Sequence, residues 1–257
     1  LSRGLGDVYK RQLLYIDFEN GEELQGTGKE LYQIIFESEQ PWVLTSNGTI
    51  LNQSKKGIIP GLLERWYAER KVLQKNMREH QSAGNTEETA YWDKRQLVKK
   101  INLNSLYGAL LNPGSRFNDP RMGQSTTLTG RTIARHMGAK VNELFTGKYD
   151  HVGEAIIYGD TDSVYFSAYP VFKQQIESGE FAWDKDKVTE LYETVCDQAN
   201  ETFPDYMATA HNVLNREQGE IIAAAREVSA TAGIYITKKR YAILVYDNEG
   251  HREDKDD

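Results

Sequence analysis

The sequence predicts an α+β fold in which helices pack on antiparallel strands and a two-helix hairpin stands as its own element. Three observations lead there. Residues 155–167 place strand-forming residues on both sides of a Gly-Asp turn, the pattern of a β-hairpin. Two helical periodicities, from Pro60 to about Gln81 and from Thr86 to Tyr107, are separated only by the polar turn Ser82-Ala83-Gly84-Asn85. After a stretch of amphipathic helix, Gly233 to Tyr246 returns to strand formers.

Taken in chain order, Leu1 to Gln12 shows no periodicity and is set aside as a non-native or read-through segment. Leu14 to Phe18 reads as a strand, Leu31 to Phe36 as an apolar segment, and Asn47-Gly48 as a hairpin turn before strand-like Thr49 to Asn52. Pro60 suits the first turn of a helix whose apolar Leu62, Leu63, Trp66, Tyr67 and Leu73 recur at helical spacing. Thr86, followed by Glu87-Glu88, opens the second helix. Asn112-Pro113-Gly114 is a turn. A helix from Thr126 to Phe145 is expected to pack through Leu128, Ile133, Met137, Val141 and Leu144. Helices follow at Asp184 to Thr202 and Tyr206 to Leu214, then strands at Glu220 to Ser229 and Gly233 to Tyr246.

Composition sets bounds on function. The 257 residues suffice for one or two domains, and 39% hydrophobic with 27% charged residues is ordinary for a globular chain. No apolar run is long enough to cross a membrane. A single Cys196 rules out an internal disulfide, and with five scattered His it argues against a structural zinc site. The net charge of −7 opposes a nucleic-acid partner only if charge is evenly spread. It is not: Lys and Arg crowd between Lys55 and Lys100, and acids dominate from Glu177 to Asp205 and in the tail.

The chemistry concentrates in Tyr158-Gly159-Asp160-Thr161-Asp162-Ser163. Strand alternation would send Asp160 and Asp162 to one side and Thr161 to the other. Paired carboxylates at a hairpin tip suit Mg²⁺, which takes one or two protein carboxylates and completes its shell with water and phosphate. Alone, such a tip is more often a solvated loop. A second block, Lys99-Lys100-Ile101-Asn102-Leu103-Asn104-Ser105-Leu106-Tyr107-Gly108, puts Lys100, Asn104, Tyr107 and Gly108 on one helical stripe. That stripe offers a cation, an amide, an aromatic ring and a close backbone approach.

Together these blocks, in this order and followed by Thr237-Lys238-Lys239-Arg240-Tyr241-Ala242-Ile243, make the chain resemble the family B DNA polymerases, and among them the T-even bacteriophage branch. The resemblance covers most of the chain from about Gln40. It implies a palm of antiparallel sheet with packed helices (residues 13–54, incomplete, and 112–257) and a two-helix fingers subdomain (55–111). It also implies template-directed DNA synthesis: a primer 3′-hydroxyl attacks a deoxynucleoside triphosphate with two Mg²⁺ ions present. Asp162, with Asp160 less firmly, would be the catalytic metal ligand, and Glu227 a further active-site acid. Arg70, Lys75, Lys100 and Asn104 would contact the nucleotide; the family's Lys is expected four residues after Arg70, where this chain has Gln74, and Lys75 next to it would take that role. Tyr107, Gly108, Lys239, Arg240 and Tyr241 would contact primer-template DNA.

The family's first acidic motif, its exonuclease domain and its thumb are not found in this sequence, Asp17-Phe18 being only a superficial match for the motif. The chain is therefore expected to be a fragment with little or no polymerase activity alone. A phage origin implies the cytoplasm of an infected bacterium, with a sliding clamp as a partner bound through regions outside this chain. Reverse transcriptases also carry acids on a hairpin, but with two adjacent Asp and without the Asn104 to Gly108 pattern. The remaining alternative is a non-catalytic nucleic-acid-binding module built on a polymerase fold.

Overall fold

A computed structural model describes residues 13–215 and 219–253; the segment 1–12 set aside above lies outside them. Helix and strand are mixed, and every strand pairing is antiparallel. Among the described residues the strands form four small sheets, three of two strands and one of three, rather than one continuous sheet. The chain divides into two compact units, residues 39–127 and the remainder, with one boundary after residue 38 and the other after residue 127, inside the helix Pro120–Thr146.

In the 39–127 unit, β3 (Trp42–Leu44) and β4 (Ile50–Asn52) flank the predicted Asn47-Gly48 turn, where Gly48 takes φ +85°. Helices α2 (Ile58–Ser82) and α3 (Thr86–Leu111) follow. Each is close to 40 Å long at about 1.5 Å per residue. Gly84, at φ +73°, reverses the chain between them. No α2 or α3 side chain is fully buried, so the hairpin rests on a half-buried face and polar rungs. Lys99 Nζ meets Glu69 Oε2 at 2.5 Å and lies over the Trp66 ring, and Arg70 Nε donates to Gln96 Oε1 at 3.1 Å. The hydrogen bond from Lys99 holds the Glu69 carboxyl below its usual range. Tyr67, predicted on the packed face, is half exposed, while Leu63, Trp66 and Leu73 are half-buried.

The larger unit begins with β1 (Leu13–Asp17) and β2 (Glu23–Thr27), then helix α1 (Gly28–Tyr32), which runs on into a π-helical turn at Gln33–Glu37. Thr27 and Glu30 form a reciprocal cap at its start. The rest comprises α4 (Pro120–Thr146) from residue 128 onward, β5 (Ile156–Asp160), β6 (Ser163–Phe166), α5 (Tyr169–Glu177), α6 (Lys185–Asn200) and α7 (Phe203–His211). The strands β7 (Val228–Thr237), β8 (Arg240–Asn248) and β9 (His251–Arg252) end the described chain. Leu31, Ile35, Val141, Val188, Val195, Phe203 and Tyr246 are buried here. Five expectations shift. The strand predicted from Glu220 starts only at Val228, the one predicted from Gly233 to Tyr246 is broken by a turn at Lys238-Lys239, α4 begins six residues early at Pro120, α5 was not anticipated, and α7 begins three residues early because Pro204 seeds its first turn.

Helix α4 departs furthest from its predicted face. Val141 is buried as expected, but Leu128 and Leu144 are exposed. The buried stripe instead runs through His136, Ala139 and Asn142, whose small or polar side chains allow close approach. A Cβ on Gly138 would touch Val164 of β6 in ordinary van der Waals contact, so this face of α4 lies directly behind the acid hairpin.

His136 stacks on Tyr206 with ring centroids 4.0 Å apart. Its Nε2 lies 3.0 Å from Thr202 Oγ1, and that hydroxyl donates its only proton to Ala199 O at 2.7 Å. Nε2 must therefore carry the proton, leaving Nδ1 to accept from Tyr149 Oη at 2.8 Å. Burial, then Lys140 nearby, pushes the His136 imidazole down to about 4. The unfolded chain takes up a proton near pH 6.5 and the folded chain only near pH 4. Stability is thus fully present above pH 6.5 and is lost as pH falls toward 4, by at most about 3 kcal/mol. Urea midpoints between pH 7.5 and 4.5 should fall accordingly, and His136→Phe should flatten that slope.

Candidate active site

The acid hairpin forms because β5 and β6 pair Asp160 with Ser163, leaving Thr161-Asp162 as a two-residue loop. Thr161 has φ +53°, a conformation that a β-branched residue rarely adopts. Its hydroxyl bonds Asp160 Oδ1 at 3.2 Å, and Ser163 Oγ closes the turn onto Asp160 O at 3.0 Å. Strand alternation does not carry through the loop, so the two carboxylates reach the tip differently. Asp160 ends a strand and is half buried, whereas Asp162 is exposed in the loop itself.

A bulge at Ile157 shifts the register so that Tyr158 faces Tyr165 across the hairpin. The β7–β8 hairpin brings Tyr235 opposite Tyr241. All six pairs among these four rings have centroids 5.3–5.8 Å apart. Tyr165 Oη and Tyr241 Oη are 2.8 Å apart, and the Lys239 backbone N–H donates to Tyr158 Oη at 2.8 Å. Lys239 turns the basic hairpin at φ +63°, leaving its own side chain and that of Arg240 exposed. The predicted acidic and basic segments are therefore joined tip to tip through tyrosines. Glu227 lies close enough to help raise the Tyr165 hydroxyl, behind the larger effects of the Tyr241 hydrogen bond and burial.

Asn142 was missed in the sequence and does much to hold this hairpin. It is 1% exposed; its Nδ2 donates to Thr146 Oγ1 and Lys148 O, and its Oδ1 accepts from the Ala155 N–H at 3.1 Å. Ala155 O in turn accepts from Ser167 N, closing the far end of β5–β6. A Cβ on Gly153 would collide with the Asn142 amide. Asn142→Ala should cost about 2–3 kcal/mol by leaving buried backbone groups unpaired, measurable as a lower denaturation midpoint.

The other predicted residues stand on the helical hairpin. Gln96, Lys100 and Asn104 share an α3 face at four-residue spacing, and the Arg70–Gln96 bond places Arg70 at one end of that row. Lys100 and Asn104 are exposed, and Tyr107 Oη donates to Gly123 O at 3.3 Å. A Cβ on Gly108 would meet no described atom within 4 Å. Lys75 is not brought to this row: it lies about 140° around α2 from Arg70 and pairs with Glu79 at 3.8 Å.

Two carboxylates are a donor set that suits Mg²⁺, since that ion keeps places for water and phosphate. Among the described residues no cluster of three or more His, Cys, Asp or Glu groups is found. Asp160 and Asp162 would hold the ion.

The sequence matches DNA polymerase family B over residues 22–194, more than half of the chain, and the chain belongs to that family. Within the family it is phage-like. It is 32% identical over 164 residues to the DNA-directed DNA polymerase of Escherichia phage RB69 and 33% identical over 170 residues to that of Enterobacteria phage T4. Each match covers 61% of this chain and 18% of the relative. It is also 38% identical to the DNA polymerase delta catalytic subunit of Oryza sativa subsp. japonica, over 112 residues that cover 43% of this chain and 10% of the relative. The chain thus spans about a fifth of the length of the phage polymerases it matches. No described helix is long and apolar enough to cross a membrane.

Proposed function

We propose that this chain is part of a template-directed DNA polymerase, contributing palm (13–54 and 112–257) and fingers (55–111), and that it acts on primer-template DNA and a deoxynucleoside triphosphate. The observation that carries this reading is the tip-to-tip union of a carboxylate hairpin and a basic hairpin within one compact unit. Nucleotidyl transfer needs those two charges side by side, one for metal-borne phosphate and one for the primer backbone.

Lys239 and Arg240 neutralise primer phosphates, which positions the strand without reading its sequence. Tyr241 packs near the primer terminus, and Glu227 stands as a further acid beside the tyrosines. The exposed tip presents Asp162, with Asp160 behind it, as the ligands for Mg²⁺. A metal ion bound there would supply the positive charge that favours attack by the primer 3′-hydroxyl and offsets the charge of the triphosphate and its departing pyrophosphate. On the helical hairpin, the planar fork of Arg70 and the ammonium of Lys100 bind phosphate oxygens, and Asn104 adds an amide. Glycine inside an exposed helix costs about 0.5–1 kcal/mol relative to alanine. Nothing in the described chain demands it at Gly108, which supports a close approach there by the nascent base pair, beside Tyr107.

The similarity to phage polymerases supports a phage gene product working in the cytoplasm of an infected bacterium. Binding titrations test the assignment. A labelled primer-template duplex should bind with an affinity that falls steeply with salt, and a deoxynucleoside triphosphate should bind only with Mg²⁺. Duplex binding with no nucleotide response at any Mg²⁺ concentration would instead mark a non-catalytic nucleic-acid-binding module.

A further inference from the structure

We infer that Tyr165 is a positioning residue: its hydroxyl, bonded to Tyr241, fixes the basic hairpin against the acid hairpin and so sets where the primer backbone lies relative to Asp160 and Asp162. The functional half of this inference rests on the reading just given.

Three facts single out Tyr165. It belongs to the acid hairpin, as the cross-strand partner of Tyr158. Its hydroxyl reaches the other hairpin directly, 2.8 Å from Tyr241 Oη, one residue from Arg240 and two from Lys239. It also touches both Tyr235 and Tyr241 through its ring, so it spans the basic hairpin on both strands. The second link, from the Lys239 N–H to Tyr158 Oη, holds a backbone at φ +63°, which a non-glycine residue keeps only when its surroundings enforce it. β5–β6 and β7–β8 share no strand pairing. Side-chain hydroxyls therefore replace a backbone ladder at this junction, and tyrosine supplies both the ring area and the polar end that such a junction needs.

Amide hydrogen exchange over the β7–β8 turn reads this junction without any ligand. Tyr165→Phe keeps the ring and removes the hydroxyl. It should speed exchange at the Lys239 amide about fivefold, the worth of one hydrogen bond, while α6 exchanges at the wild-type rate. Unchanged exchange at Lys239 overturns the inference, as does an equal rise in α6, which would mean a general loss of stability. Tyr241→Phe removes the other half of the same bond, so it should match Tyr165→Phe, and the double variant should be no worse than either. Additive effects would refute the shared bond.

Duplex binding then tests the functional half. Tyr165→Phe should weaken salt-sensitive binding of a primer-template duplex about fivefold. Lys239→Ala should cost less in the Tyr165→Phe background than in the wild type. Full additivity overturns positioning through Lys239. A wild-type chain that binds no duplex overturns the proposed function and this half with it, while the exchange result still decides the junction.

Discussion

Asp162→Ala is expected to eliminate the Mg²⁺-dependent part of deoxynucleoside triphosphate binding to this chain, weakening it at least about ten- to a hundredfold, without a measurable loss of stability. The two halves of this expectation have separate physical origins. Asp162 lies exposed in the two-residue loop and makes no bond that the hairpin depends on; the turn is closed by Thr161 and Ser163 onto Asp160. Exposed substitutions of this kind usually move stability by less than about 0.5 kcal/mol. A metal held by two carboxylates is far more sensitive, since disturbing even the groups that orient a ligand costs about 10–100-fold. Asp160→Ala should lose the same binding and destabilise the turn as well, because it also removes the acceptor of the Thr161 hydroxyl. Thr161→Gly is the control. It relieves the φ +53° strain, leaves both carboxylates in place, and should keep the Mg²⁺ response. Calorimetric titration of nucleotide with and without Mg²⁺ compares all three. An Asp162→Ala chain that responds to Mg²⁺ like wild type would remove this residue from the metal site.

What could be read from the sequence was what depends on near neighbours. The Asn47-Gly48 turn, the α2–α3 hairpin and the acid hairpin follow from turn residues and periodicity within twenty or thirty positions, whereas Gly233 to Tyr246 read as strand throughout and hid the turn at Lys238-Lys239. The acid tip and the basic segment were each found as local motifs. Their union was not, because it depends on Tyr165 meeting Tyr241 across 76 residues. A signal was present: each hairpin carries a tyrosine on both strands beside its turn, Tyr158 with Tyr165 and Tyr235 with Tyr241. The buried face of α4 failed for the opposite reason. Counting apolar residues favoured Leu128 and Leu144, yet burial went to His136 and Asn142, whose polar atoms are satisfied by Tyr149, Thr202, Thr146, Lys148 and Ala155. Buried polar residues are set by partners elsewhere in the chain, and periodicity cannot see them. Lys75 sits between these cases. Helical geometry already separated it from Arg70, and its pairing with Glu79 is consistent with an outer helix face.

Arg226→Ala should destabilise the chain by about 3–5 kcal/mol, the largest stability effect expected of any single change here. The guanidinium is 7% exposed and joins two carboxylates: Asp247 on β8, itself 5% exposed and 2.5 Å away, and Glu193 on α6 at 3.0 Å. It also reaches the buried Ser229 hydroxyl at 3.4 Å. Removing it leaves the Asp247 charge buried, with the Gly250 N–H still donating to it but no cation. Most of the cost comes from that stranded carboxylate rather than from the lost attraction, which makes a distinctive prediction. Arg226→Met combined with Asp247→Leu should recover much of the stability, because no buried charge then remains. Urea denaturation of the two single variants and the pair measures this directly. A pair as unstable as Arg226→Ala would mean that the guanidinium acts by packing α6 against the strands and not by charge. The consequence for the site follows from the register. Asp247 and Ser229 pair at the base of the β7–β8 hairpin, whose far end carries Lys239, Arg240 and Tyr241. Loosening that base by losing Arg226 should weaken duplex binding even under conditions where the chain remains folded.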